Sequence, residues 1–79
     1  NLTILKLGSP TIDAATRNRI SEFGSLAKYQ NCRFIIYAAS DQKGRTLYQL
    51  LKNNQTELKI KAQIKLRLPA QIERQCVKP

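Results

Sequence analysis

Histidine, methionine and tryptophan are absent from this chain, and five acidic side chains stand against fourteen lysines and arginines. Without histidine, the commonest general base and the commonest metal ligand are both missing. Asp13, Glu22, Asp41, Glu57 and Glu73 occupy no spacing that pairs two carboxylates for acid–base work. The two cysteines, Cys32 and Cys76, cannot close a structural zinc site by themselves. Gly44 stands alone between Lys43 and Arg45, without the second glycine and following Ser or Thr of a phosphate-binding loop. No stretch approaches the roughly 20 consecutive apolar residues of a membrane-spanning helix. These absences read as a chain that binds rather than reacts: not an enzyme, with no cofactor and no metal.

What is abundant is positive charge. The net charge is +9 over 79 residues, a length that suits one small domain. Residues 1–40 carry five basic and two acidic side chains, and residues 41–79 carry nine and three, so the second half is the more basic. An excess of this size favours an anionic partner: an acidic protein, an anionic envelope surface or nucleic acid. It also serves solubility, and lysines on a strand keep sheet edges from pairing with one another.

The charge is patterned most clearly in residues 58–68. Leu58, Ile60, Ala62, Ile64, Leu66 and Leu68 alternate with Lys59, Lys61, Gln63, Lys65 and Arg67. Successive side chains of a strand point to opposite faces, so this run predicts a strand with one apolar and one basic face. Pro69 stops it.

Upstream, residues 2–7 read as a short strand bounded by Gly8, Ser9 and Pro10. Ser9 is a suitable N-cap with Pro10 at the first helical position. Ile12, Ala15, Ile20, Phe23 and Ala27 recur at helical spacing, which predicts a helix over 10–29 with Gly24 as a point of close contact with the sheet. Cys32 to Ala39 is apolar on both faces except at Arg33, the pattern of a central strand covered on both sides. A loop from Ser40 to Gly44 leads into a short helix carrying Leu47, Leu50 and Leu51 and ending near Asn53. Residues 70–79 read as one turn of helix and a tail. The expected fold is one small α/β (α+β) domain over 1–79: a two-layer β-α-β-α-β sandwich with both helices on one face of a three-stranded sheet. Its basic strand face would then be the open one, with Lys59, Lys61, Lys65 and Arg67 as candidate partner-binding residues and Arg33 and Tyr37 beside them. Arg45, with Ser40 and the second helix's N-terminus, is a candidate small-anion site at the end of the central strand.

A disulfide between Cys32 and Cys76 would close a loop of about 45 residues, worth about 3–4 kcal/mol on chain-entropy grounds. It would suit a secreted or periplasmic domain. The chain opens on Asn1 without an initiator methionine, which reads as a processed or excised segment. Two triplets starting at Asn1 and Asn54 fit the N-glycosylation pattern.

The run from Leu2 to Ile20, followed by Phe23, Leu26 and the strand from Cys32 to Ser40, resembles the first half of an OmpA-like periplasmic domain. The resemblance covers about 40 residues and places Asp41 near the family's ligand-binding aspartate. The turn here reads Ala38, Ala39, Ser40, Asp41, and the helix after it lacks the paired arginines with which that family grips the peptidoglycan diaminopimelate carboxylate. What the resemblance implies is therefore a fold and a compartment rather than peptidoglycan binding. The expectation is a non-enzymatic binding or assembly module of a secreted or cell-envelope protein. Its basic sheet face would meet an acidic protein partner or anionic surface, within a hetero-oligomer. The alternatives are a nucleic-acid-binding module and a subunit of a small processed secreted toxin.

Overall fold

The computed structural model describes residues 2–8, 11–53, 55 and 57–77. Ser9, Pro10, Asn1 and Asn54, which the sequence marks as helix start and glycosylation sites, lie outside that set, as do Lys78 and Pro79.

The first strand, β1, is Leu2–Lys6, and helix α1 is Ala14–Ser25. The helix begins later than its apolar spacing predicts because Asp13 caps it. The Thr16 backbone N–H donates to Asp13 Oδ1 at 2.8 Å, which satisfies one of the orphan amides of the first turn. A short 3-10 turn over Leu26–Lys28 follows, so the expected single helix is an α-helix plus a tighter last turn. Strand β2 is Asn31–Ala38 and helix α2 is Asp41–Leu51. Ser40, in extended conformation, accepts the Lys43 N–H at 3.2 Å and caps α2. The helix ends at Lys52, with Asn53 in the left-handed region at φ 55°.

Strand β3 is Lys61–Leu66, shorter than the alternating run that announces it. The largest departure comes after a cis Leu68–Pro69 bond. Residues 71–77, expected to form a helical turn and tail, make a fourth strand, β4 (Gln71–Val77). The sheet is therefore four-stranded, in the order β1-β4-β2-β3. Strand β4 runs antiparallel to both β1 and β2, while β2 and β3 are parallel. The α+β class and the helices on one face stand; the three-stranded count does not. The composition of β4 hides it. Gln, Glu and Arg favour helices, and only Ile72 and Val77 are β-branched, so its stability comes from two neighbouring strands and not from propensity.

Register fixes Cys32 directly opposite Cys76, and the two form a disulfide with S–S 2.08 Å. On the helix side of the sheet, Phe34, Ile36 and Ile72 pack with Ile20, Phe23, Leu47 and Leu51 into one core. Phe23 and Phe34 meet edge to face at 6.2 Å. Arg74 also points to this side. Its Nη1 donates to the Phe23 carbonyl at 2.9 Å, and its guanidinium lies over the Phe23 ring at 4.4 Å. A cation here meets the carbonyl end of α1, where the helix dipole favours it. Partial burial lowers its pKa.

Two glycines let the layers close. A Cβ at Gly24 would strike the Leu51 carbonyl oxygen, so the close contact anticipated for Gly24 is with α2, not the sheet. A Cβ at Gly44 would meet Ile64 Cγ2 at 2.5 Å, which seats α2 on β3. The apolar half of β3 is only partly covered: Ile60 and Ile64 pack into or against the core, whereas Leu66 and Leu68 remain 65% and 64% exposed at the sheet edge.

Three measurements test this architecture. Gly24→Ala, which in an open helix would stabilise, should here cost about 1–3 kcal/mol in thermal or urea denaturation, because the methyl group meets backbone. Replacing both Cys32 and Cys76 by Ser should cost about 4 kcal/mol, given the separation of 44 residues, and an unchanged denaturation midpoint would refute the cross-link. The Thr16 backbone and hydroxyl hydrogen bonds hold the Asp13 carboxyl below its ordinary pKa of 3.8. The folded state therefore gains from the charged form above that value and loses the gain as pH falls through the folded one. Melting curves between pH 2 and 6 should show an acid loss that is smaller in Asp13→Asn, which caps without titrating.

Candidate functional site: the open face of the sheet

Both helices cover the same face, because Phe34 and Ile36 of β2 lie beneath them with Ile72 of β4. The alternate residues of every strand therefore form an uncovered face, and register places them in rows. One row crosses the sheet as Leu2, Gln75, Arg33 and Lys61. The next is Ile4, Glu73, Ile35 and Gln63. The third is Lys6, Gln71, Tyr37 and Lys65. Arg67 joins this last row by lying over the Tyr37 ring at 4.4 Å. A shallow concavity of about 420 Å³ opens between the first two rows, lined by Leu2, Arg33, Ile35, Lys61, Glu73 and Gln75 among others.

Lys6, Arg33, Lys61, Lys65 and Arg67 thus share one face with a single acid, Glu73. Among the described residues the one ion pair is Arg45–Asp41 at 2.8 Å, so none of these five cations is neutralised by a carboxylate. Glu73 accepts a hydrogen bond from Gln71 Nε2 at 3.4 Å. Leu2 and Ile4, 60% and 45% exposed, place apolar surface at the β1 edge of the same face. The face is graded across the strands, apolar at Leu2 and Ile4 of β1 with Lys6 at that strand's end, polar along β4 and cationic at β3.

Of the residues chosen from sequence, Arg33, Lys61, Lys65 and Arg67 come together, with Tyr37 beside them. Lys59 is exposed just before β3 and outside the paired register, so the ladder does not fix it on the face. Arg45 lies on α2, in the opposite layer, and is held by Asp41. Ser40 is occupied in capping the helix. Neither lines the second concavity, about 630 Å³ of mainly apolar space at the carboxyl end of β2 bounded by Leu7, Ile12, Ala38, Leu47 and Leu68. No group of three or more Cys, Asp or Glu side chains gathers around a metal-sized space among the described residues.

Sequence reasoning did not bring Leu2, Ile4 and Lys6 to this face, nor Gln71, Glu73 and Gln75. The signal was present in both segments. Leu2, Ile4 and Lys6 alternate with Thr3 and Leu5, and Gln71, Glu73 and Gln75 alternate with Ile72, Arg74 and Cys76. No family model, curated protein or solved structure matches the chain.

Proposed function

We propose that this domain is a non-enzymatic binding module of a secreted or cell-envelope protein, and that its open sheet face docks an acidic partner. The observation that carries the reading is the set of five unneutralised cations on that face. The Cys32–Cys76 disulfide agrees with an oxidising compartment, as does the resemblance of the first half to OmpA-like periplasmic domains. No helix among the described residues is long and apolar enough to cross a membrane.

The surroundings of Tyr37 favour an acidic partner over single-stranded nucleic acid. Unstacked bases need an open aromatic platform. Tyr37 is the aromatic on this face, and it is only 6% exposed because Arg67 covers it. The guanidinium that closes the ring to a base remains available to a carboxylate.

The test is binding of poly-L-glutamate against a single-stranded oligonucleotide and phosphatidylglycerol vesicles. Lys61→Glu with Lys65→Glu should weaken polyglutamate binding by about tenfold or more and flatten its salt dependence. Arg45→Glu with Lys43→Glu, an equal charge change in the other layer, should stay within about twofold. Equal losses from both would show a bulk-charge effect and sink the assignment to this face, and tighter binding to the oligonucleotide would favour the nucleic-acid reading.

A further inference from the structure

The grading of the open face says what shape of partner fits it. We propose that the face docks an amphipathic helix of the partner protein, laid along β4 and β2, with its apolar side on Leu2 and Ile4 and its acidic side over Lys61, Lys65 and Arg67. This rests on the acidic-partner reading and adds the partner's secondary structure, orientation and charge spacing.

The first argument is width. Three strand spacings separate β1 from β3, about 14 Å at about 4.8 Å each. A helix with its side chains is about 10–12 Å across, so one helix over the middle strands reaches the apolar edge on one flank and the cationic edge on the other. An extended segment added to the β3 edge would touch the lysines but leave Leu2 and Ile4, three strands away, in water. Adding a strand to β1 would bury those two and miss the lysines. The helix also places a third layer on a sheet that has only one covered face, a standard way to close an α/β sandwich.

The second argument is spacing along the strands. Lys61 and Lys65 are four residues apart on β3, about 13 Å at about 3.3 Å per residue. At about 1.5 Å rise per residue, acids seven or eight positions apart on one flank of a helix are about 11–12 Å apart. Acids at i and i+7 or i+8 therefore meet the two lysines, and one at i+14, about 21 Å along the helix, reaches Arg67, about 20 Å from Lys61. Beneath the helix axis lie Gln71, Glu73 and Gln75 of β4. A docked helix would desolvate Glu73, a penalty removed only if the helix presents a donor such as Lys, Asn or Ser there. The partner is thus a helix with apolar, donor and acidic stripes in that order around its circumference.

The probe is a pair of synthetic peptides of about 18 residues and identical composition. One places leucines, a central lysine and glutamates at helical spacing as above, and the other permutes them to the two-residue alternation of a strand. Fluorescence anisotropy with the intact protein should show the helical-period peptide binding at least about tenfold more tightly. Ile4→Asn and Lys65→Glu should each cost about tenfold in that affinity, and Arg45→Glu less than about twofold. Thermal melts identify variants that fail to fold, and amide shifts in the NMR spectrum at Ile35, Gln63 and Glu73 report the footprint independently of any substitution. If the strand-period peptide binds as well or better, the helix is refuted while the acidic-partner reading stands. The same holds if polyglutamate binds the face and neither peptide does. If neither the peptides nor polyglutamate bind, both readings fail.

Discussion

The insertion of β4 between β1 and β2 is the constraint on which the rest of this structure depends. Strand β1 touches the sheet only through β4, so the apolar edge of the open face exists because β4 bridges to it. The residues of β4 alternate in purpose as well as direction. Ile72 enters the core, Arg74 caps the end of α1 and Cys76 locks to Cys32, while Gln71, Glu73 and Gln75 surface the middle of the open face. The disulfide ties β4 to the central strand near the chain's end, where a strand poor in β-branched residues has least to hold it.

A sheet covered on one side only sends charge to the other side. Here the covered side is drawn tight by Gly24 and Gly44, each at a place where a methyl group would meet the neighbouring element. Ser21 Oγ reaches the Leu50 carbonyl at 3.4 Å and the Tyr48 hydroxyl reaches the Ile60 carbonyl at 3.2 Å, so helix meets helix and loop through hydrogen bonds as well as apolar contact. Arg74, the one cation in β4, is accommodated on the covered side because its charge finds a helix carbonyl and its plane an aromatic ring. An inward charge on a strand need not face the open side when a helix terminus lies in reach.

Period and caps made most of the fold legible. The two helices, the central strand, the basic alternation and the cysteine pairing are readable because each is a local pattern or a matter of count. Strand β4 is not local. Its inward positions include an arginine, and its sequence suits a helix equally well. One inference was nevertheless open. If Cys32 sits in a central strand and pairs with Cys76, the segment around Cys76 must run within disulfide reach of that strand, which leaves little room for a loose tail. The candidate site was legible by the same measure. Arg33, Tyr37, Lys61, Lys65 and Arg67 follow from alternation in two strands, whereas Lys6, Ile4 and Glu73 required the sheet order. Arg45, grouped from the sequence with Ser40 and the helix start, is paired in the structure with Asp41, four residues earlier on the same face of α2.

Edge protection accounts for part of the basic ladder but not for all of it. Strand β3 is an edge, and lysines there discourage pairing with another sheet. Strand β2 is interior and needs no such guard, yet it presents Arg33 on the open face, in register with Lys61 of β3. Like charges on neighbouring strands repel, and a neutral residue at position 33 would relieve the repulsion at no loss to the core, since Arg33 is exposed. The other edge strand, β1, is left with a single lysine and two exposed aliphatic side chains, the reverse of what edge protection would select. Folding and solubility alone thus leave both the Arg33–Lys61 juxtaposition and the bare β1 edge unexplained. The proposed partner, acidic on one side and apolar on the other, would account for the two together, because its carboxylates would remove the repulsion at β3 and its apolar flank would cover Leu2 and Ile4.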